Sequence, residues 1–322
     1  MAKALNEALR HSLAEDPRAL VLGEDIGKLG GVFRVTEGLQ DEFGSARVFD
    51  TPLAEAAIAG VSLGLALAGW HPVAEMQFDG FSYPALDQII SHIAKYRYRS
   101  RGRQTVPLVI RIPFAGGIGA AEHHSESPEA YYAHTAGLKV VIPASPIDAY
   151  GLLRHSIADP DPVIFLEPKS RYWSKEEGSL EAGADGSLPI GKARVVREGS
   201  DCTIVTYGAM VARSLAAASR ASADGVEVEV LDLRSLVPLD LESLVGSVSR
   251  TGRAVVVHEA PLTAGFGAEV VARIVEDCFD YLEAPVLRVT GYDTPYPPAT
   301  IESHYVPSVQ RILAAVDRVT NY

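Results

Sequence analysis

Short, continuously apolar runs alternate with amphipathic stretches along this chain. Residues 19–22 (ALVL), 107–112 (PLVIRI), 138–142 and 163–166 are of the first kind, and residues 47–49 and 72–78 add two more extended runs. Apolar runs of this length, bounded by Gly, Pro or charge, predict strands covered on both faces. Helical periodicity fills the gaps: Ala4, Leu5, Ala8, Leu9 and Leu13 form one stripe, and residues 82–98 and 146–157 predict further helices. Residues 174–187 (SKEEGSLEAGADGS) break the pattern with charge and glycine. Beyond them it restarts, with strands at 202–207, 226–233, 254–258 and 286–289 and helices at 210–223, 239–249, 267–278 and 306–318. This order predicts an α/β protein of two three-layer α/β/α domains with mainly parallel sheets, residues 1–180 and 188–322, joined by a linker at about 174–187.

One segment stands apart. Residues 52–69 (PLAEAAIAGVSLGLALAG) are apolar except for Glu55, and Ala56, Gly60, Gly64 and Ala68 recur at four-residue spacing on one helix face. The pattern predicts a buried helix, with Thr51 as cap and Pro52 as first helical residue. A capping-box glutamate would sit one place earlier than Glu55. A membrane span is disfavoured, because the run is short, interrupted by Gly and Pro, and lacks flanking anchors. An isolated buried carboxylate must find a partner or take up a proton, so Glu55 is a candidate for contact with a ligand nitrogen.

Composition narrows the partners. At 322 residues, two domains are expected. The formal charge of −12 argues against nucleic acid or an anionic membrane as the main partner. Cys202 and Cys278 suggest neither a disulfide framework nor a zinc site. The N-terminal residues show no secretory signal, and a cytoplasmic location is expected. Two further clusters carry candidate chemistry. Gln77, Phe78 and Phe81 sit at a strand end, where an aromatic can stack on a planar heterocycle. His123 and His124, with Glu126, lie in a glycine-rich loop whose spacing suits proton transfer better than zinc.

Long stretches make the chain similar to a known family. LGEDIGKLGGVFRVTEGL, RVFDTPLAEAAIAGVSLGLALAG, EHHSESPEAYYAHTAGLKVVIPASP, DPVIFLEPK, HEAPLTAGFGAEV and GYDTPYP resemble the β subunit of the thiamine-diphosphate-dependent 2-oxo acid dehydrogenases, the decarboxylating component of those complexes. The resemblance implies a transketolase-like pyrimidine-binding domain followed by a transketolase C-terminal-like domain. It places the family's glutamate on Glu55, hydrogen-bonded to the aminopyrimidine of thiamine diphosphate. Phe81 and the Leu53 backbone fall beside that ring, with Gln77 among the cofactor-binding positions. His124 is implied in proton transfer and in passing the acyl group to a lipoyl thiol. A potassium site is implied at Leu108, Ser156, Asp159 and Asp161, although relatives often carry Asn where this chain has Asp161.

The family's diphosphate- and magnesium-binding GDG stretch is missing; the nearest match, residues 184–187, lies in the expected linker. The resemblance therefore implies half an active site, completed by an α subunit in a heterotetramer, with the magnesium site on α. The chain alone is expected neither to bind thiamine diphosphate tightly nor to decarboxylate a 2-oxo acid. The second domain is implied to dock onto the lipoyl-bearing dihydrolipoyl acyltransferase core. The motifs favour branched-chain 2-oxo acids over pyruvate or acetoin. Half of a split transketolase and a non-catalytic scaffold are the alternatives from other classes.

Overall fold

The computed structural model describes residues 1–183 and 189–322. Strands β1 (Ala19–Gly23), β2 (Val48–Asp50), β3 (His71–Glu75), β4 (Val109–Phe114), β5 (Lys139–Val141) and β6 (Val163–Pro168) come first. Strands β7 (Arg194–Arg197), β8 (Cys202–Thr206), β9 (Val228–Asp232), β10 (Ser235–Val237), β11 (Ala254–Pro261) and β12 (Leu287–Gly291) follow. One sheet runs β10-β5-β6-β4-β3-β1-β2 and the other β12-β11-β8-β9-β7. Neighbours are parallel except at β10–β5 and β7–β9, each at one edge. The apolar runs behave as their composition demands: β1, β4, β6, β8 and β9 are buried along their whole length.

The two halves are less separate than the sequence suggests. Strand β10 belongs by sequence to the second half but pairs with β5 of the first sheet. A single apolar cluster runs from Ile58 and Ile89 through Phe114 and Ile142 to Tyr207, Leu231 and Val256. The described part of the expected linker is also packed. Glu176 accepts the Ile147 amide at 3.0 Å, and Gly151 leaves room for the Gly183 carbonyl where a Cβ would come within 1.6 Å. Residues 184–188, which include the GDG-like stretch, lie outside the described residues.

Of three local expectations, one is refined and two need correction. The helix at residues 82–98 is present but irregular, running without a break from Gly80 to Arg99 as successive 3-10, α and π segments; Pro84, in the first of them, has no amide to donate. The Glu55–Leu67 helix starts at Glu55 itself, with Ala54 at the N-cap. Thr51 instead prolongs the β1–β2 ladder through its amide to the Gly23 carbonyl. That helix is also not buried all round. Glu55, Ile58, Ala59, Ser62 and Ala66 face the core, while Ala56, Gly64 and Ala68 are open, together with Val61. Nothing in the chain lies within 4 Å of a Cβ built on Gly64. No helix among the described residues is long and apolar enough to cross a membrane.

Candidate active site

Because the first sheet is parallel, the residues just past its strands emerge along one edge. Glu24 follows β1, Glu55 opens the helix after β2, Gln77 to Phe81 follow β3, the 115–126 loop follows β4 and Lys169 follows β6. The chain leaves β1 for β2 on one side and reaches β3 on the other, and a cleft opens at such a reversal. Gln77 spans it, donating to Asp25 Oδ2 at 3.0 Å and lying 3.5 Å from the Glu24 carbonyl.

Two carboxylates meet there. Glu55 is 9% exposed and Glu24 5%. No hydrogen bond from the described residues reaches the Glu55 carboxylate, which sits at the positive end of its own helix. Both Glu24 oxygens are buried without a well-formed partner. Burial first, then the charge of Glu55, pushes the Glu24 carboxyl up to about 7, with Asp25 adding to this and the Ala54 backbone partly offsetting it. A buried acid such as Glu24, pushed up to about 7 beside a second carboxylate, is what a nitrogen heterocycle would satisfy. Leu53, just ahead of Glu55, is 80% exposed at the same cleft edge.

The loops after β3 and β4 bring together an aromatic cluster. The His124 ring centroid lies 4.2 Å from Phe78 and 5.0 Å from Phe81, and Phe33 extends the cluster to Phe78 at 5.6 Å and Tyr172 at 4.5 Å. His124 Nδ1 is buried and without a partner among the described residues. Burial, then His123, then Lys169 hold its imidazole below the usual histidine range, against a small opposing pull from Glu122. It therefore stays neutral, able to accept a proton. His123 points outward, its side chain 53% exposed.

Residues 1–174 match the transketolase pyrimidine-binding domain, and residues 191–312 the transketolase C-terminal domain. The 3-methyl-2-oxobutanoate dehydrogenase β subunit of Mycobacterium tuberculosis is 56% identical over 320 residues, which cover 99% of this chain and 91% of that protein. The chain belongs to the β subunits of the 2-oxo acid dehydrogenases. Another β subunit, that of the pyruvate dehydrogenase E1 component from Leifsonia xyli, is 54% identical, covering 100% of this chain and 95% of its own. In three dimensions a split-gene transketolase, described as an inactive β4 tetramer, superposes with a TM-score of 0.82 at 26% identity, covering 99% of this chain and 97% of that one.

In this β subunit the residues implied to hold potassium form a group of their own. Ser156, Asp159 and Asp161 gather at one turn, where Asp159 accepts from Lys139 Nζ through both oxygens, at 2.7 and 2.6 Å, and Asp161 lies 3.7 Å from the same nitrogen. Asp161 pairs with Arg97, and the Leu108 carbonyl accepts the Val163 amide at 2.9 Å. Sequence reading missed the groups that hold the histidine loop. Glu259 accepts the Gly116 amide at 2.7 Å, Glu302 accepts that of Gly117 at 2.8 Å, and Tyr296 donates to Glu302 at 2.8 Å. A Cβ on Gly116 would lie 1.6 Å from the Tyr296 hydroxyl oxygen, so the second half of the chain closes directly over this loop. Glu24 was missed too. Its only sequence signal, two adjacent acids in a turn, reads equally well as a solvated loop.

Proposed function

We propose that this chain is the β half of the decarboxylating component of a 2-oxo acid dehydrogenase complex and works on thiamine diphosphate held jointly with an α subunit. The observation that carries the reading is Glu24, buried without a well-formed partner beside Glu55 at the same end of the sheet from which the Phe78, Phe81 and His124 cluster emerges. When bound, thiamine diphosphate supplies a nucleophilic carbon and an electron sink for loss of carbon dioxide. Glu55 would hydrogen-bond the aminopyrimidine ring nitrogen, with the Glu24 carboxyl, raised to about 7, next to it. Phe81 and the Leu53 backbone would line the ring, and Gln77 would close the cleft edge. His124, held neutral, would move the proton needed at the reacting 2-oxo group and at the lipoyl thiol that receives the acyl group. The open Ala56, Gly64 and Ala68 face, with half-buried Gly60 between them, suits close approach of an α-subunit helix, which would also bring the diphosphate and magnesium sites. The acyltransferase core is the proposed docking partner of the second half.

For the substrate we favour branched-chain 2-oxo acids, with pyruvate as the second reading. Relatives of both names lie within two percentage points of each other in identity, and single methylenes in a pocket are worth only about 1–3 kcal/mol. The test is reconstitution with the cognate α subunit, comparing turnover of 3-methyl-2-oxobutanoate with pyruvate. We expect higher kcat/KM on the branched acid and no turnover by the chain alone. Glu55→Gln should lower kcat by on the order of 1,000-fold while leaving the heterotetramer intact. Near-normal turnover by that variant would support the scaffold alternative. Ketol transfer without any acylation of a lipoyl domain would support the transketolase one.

A further inference from the structure

Behind the His124 cluster lies an ion pair that the proposed chemistry does not use. Asp79 and Lys169 are both fully buried. Asp79 Oδ1 accepts from Lys169 Nζ at 2.5 Å, and its Oδ2 accepts the Glu126 amide at 2.6 Å. One carboxylate thus ties together the loop after β3, which carries Phe78 and Phe81, the loop after β4, which carries His124, and the end of β6. The joint is reinforced on each side. Ser82 donates to the Asp79 carbonyl at 2.6 Å and accepts from Tyr132 at 2.7 Å, and Tyr83 bonds the Glu126 carboxylate. Gly80 packs so closely on the histidine loop that a Cβ would come within 2.2 Å of the His123 carbonyl oxygen. Lys169 Nζ stands 5.8 Å from the centre of the Phe78 ring, which also packs against His124 at 4.2 Å.

A buried pair of this kind gives little net stability over apolar side chains of the same shape, so stability alone does not account for it. We propose that Asp79 and Lys169 form a positioning unit for His124, locking its loop to the aromatic loop and keeping one positive charge beside the imidazole. The inference rests on the role given to His124 above and adds how that role is maintained. The titratable and charged groups around His124 are Glu122, His123 and Glu126 on its own loop, Asp79 and Tyr83 on the aromatic loop, and Lys169 after β6. Among them Lys169 is a cation from outside the loop, and its charge opposes protonation of the ring. Removing it should make His124 easier to protonate.

The test uses the full-length heterotetramer and reads the pH dependence of diethylpyrocarbonate acylation at His124, which needs the unprotonated ring, by peptide mass spectrometry that resolves it from His123. Lys169→Gln leaves the Asp79 carboxylate without its partner and is prone to misfold. The double variant Asp79→Asn with Lys169→Gln keeps the volumes and the acceptor for the Glu126 amide, and it carries the test. We expect its acylation midpoint to move to higher pH, and kcat for lipoyl acylation to fall by on the order of tenfold with KM for the 2-oxo acid little changed. A midpoint that stays put or moves down, in a variant with wild-type circular dichroism, overturns the proposal. A His124→Ala enzyme with full turnover would instead remove the role assigned to His124, and the titration would still report whether the pair controls that ring.

Discussion

Two acidic centres lie on the same edge of the first sheet and behave in opposite ways. At one, Arg111 on β4 donates to Glu75 on β3 at 2.6 Å and, through two nitrogens, to Glu167 on β6 at 2.7 and 2.9 Å, while Tyr172 adds a bond to Glu167 at 2.6 Å. The cluster is closed within the chain and almost wholly shielded from water. At the other, among the described residues, both Glu24 oxygens are buried without a well-formed partner and no cation pairs with Glu24 or Glu55. A buried charge that its own chain satisfies is architecture; one that its own chain leaves unsatisfied marks the place where something else must bind. The comparison explains why one strand position, Arg111, and one helix position, Glu55, carry the same sequence signal and different meanings.

The largest effect should come from breaking the closed centre. Arg111→Met leaves Glu75 and Glu167 buried together without a cation, and such a loss costs about 3–5 kcal/mol. Urea unfolding of the isolated chain measures it directly. A loss below about 1 kcal/mol would mean that the cluster is wetter or looser than its geometry indicates, and the contrast with the open centre would fail.

Much of this architecture is legible from the residues, and the failures share one cause. Strands β1, β4, β6, β8 and β11 announce themselves because both faces are covered, so nearly every position is apolar. Glu55 is visible because it is the one charge in a long apolar run. Arg111 interrupts PLVIRI in the same way, yet nothing local says that two glutamates wait on the neighbouring strands. Glu24 is hidden for the converse reason: its burial is imposed by β2, β3 and the Glu55 helix, which the turn LGEDIG does not encode. Strand β10 is three residues long and gains its identity only by pairing with β5. What sequence periodicity cannot carry is the identity of partners brought together from separate strands, and both centres are made of such partners.

The open centre should reveal itself through pH. A carboxyl whose folded value is raised favours the folded state fully below its unfolded value, near 4.5, and loses that contribution as pH rises through the folded value, about 7 for Glu24. Wild-type stability should therefore decline from pH 5 to pH 8, helped by Glu129, which burial also raises to about 7. Glu24→Gln removes one share of the decline. Allowing for solvent screening at the cleft, the variant should be more stable than wild type by on the order of 1 kcal/mol at pH 8, with the gap closing toward pH 5. In the reconstituted enzyme the same change should reduce turnover by roughly tenfold. Parallel stability curves for the two proteins across this range would show that Glu24 holds no extra proton.

The smallest effect concerns the helix that carries Glu55, and its sign is the informative part. Gly64 lies in the helix interior with an ordinary helical backbone, is exposed, and has nothing near the position of a Cβ. In a free helix, glycine costs about 0.5–1 kcal/mol relative to alanine. Gly64→Ala should therefore stabilise the isolated chain by that amount in urea unfolding. The same methyl group would stand on the face proposed to receive the α subunit, where close backbone approach leaves no room for it, so the affinity of α for the variant should fall. Destabilisation of the isolated chain would mean that this face is already packed by the chain itself. A gain in stability with unchanged α affinity would leave glycine at this position without a partner to explain it, and the small-residue face would no longer support a shared site at Glu55.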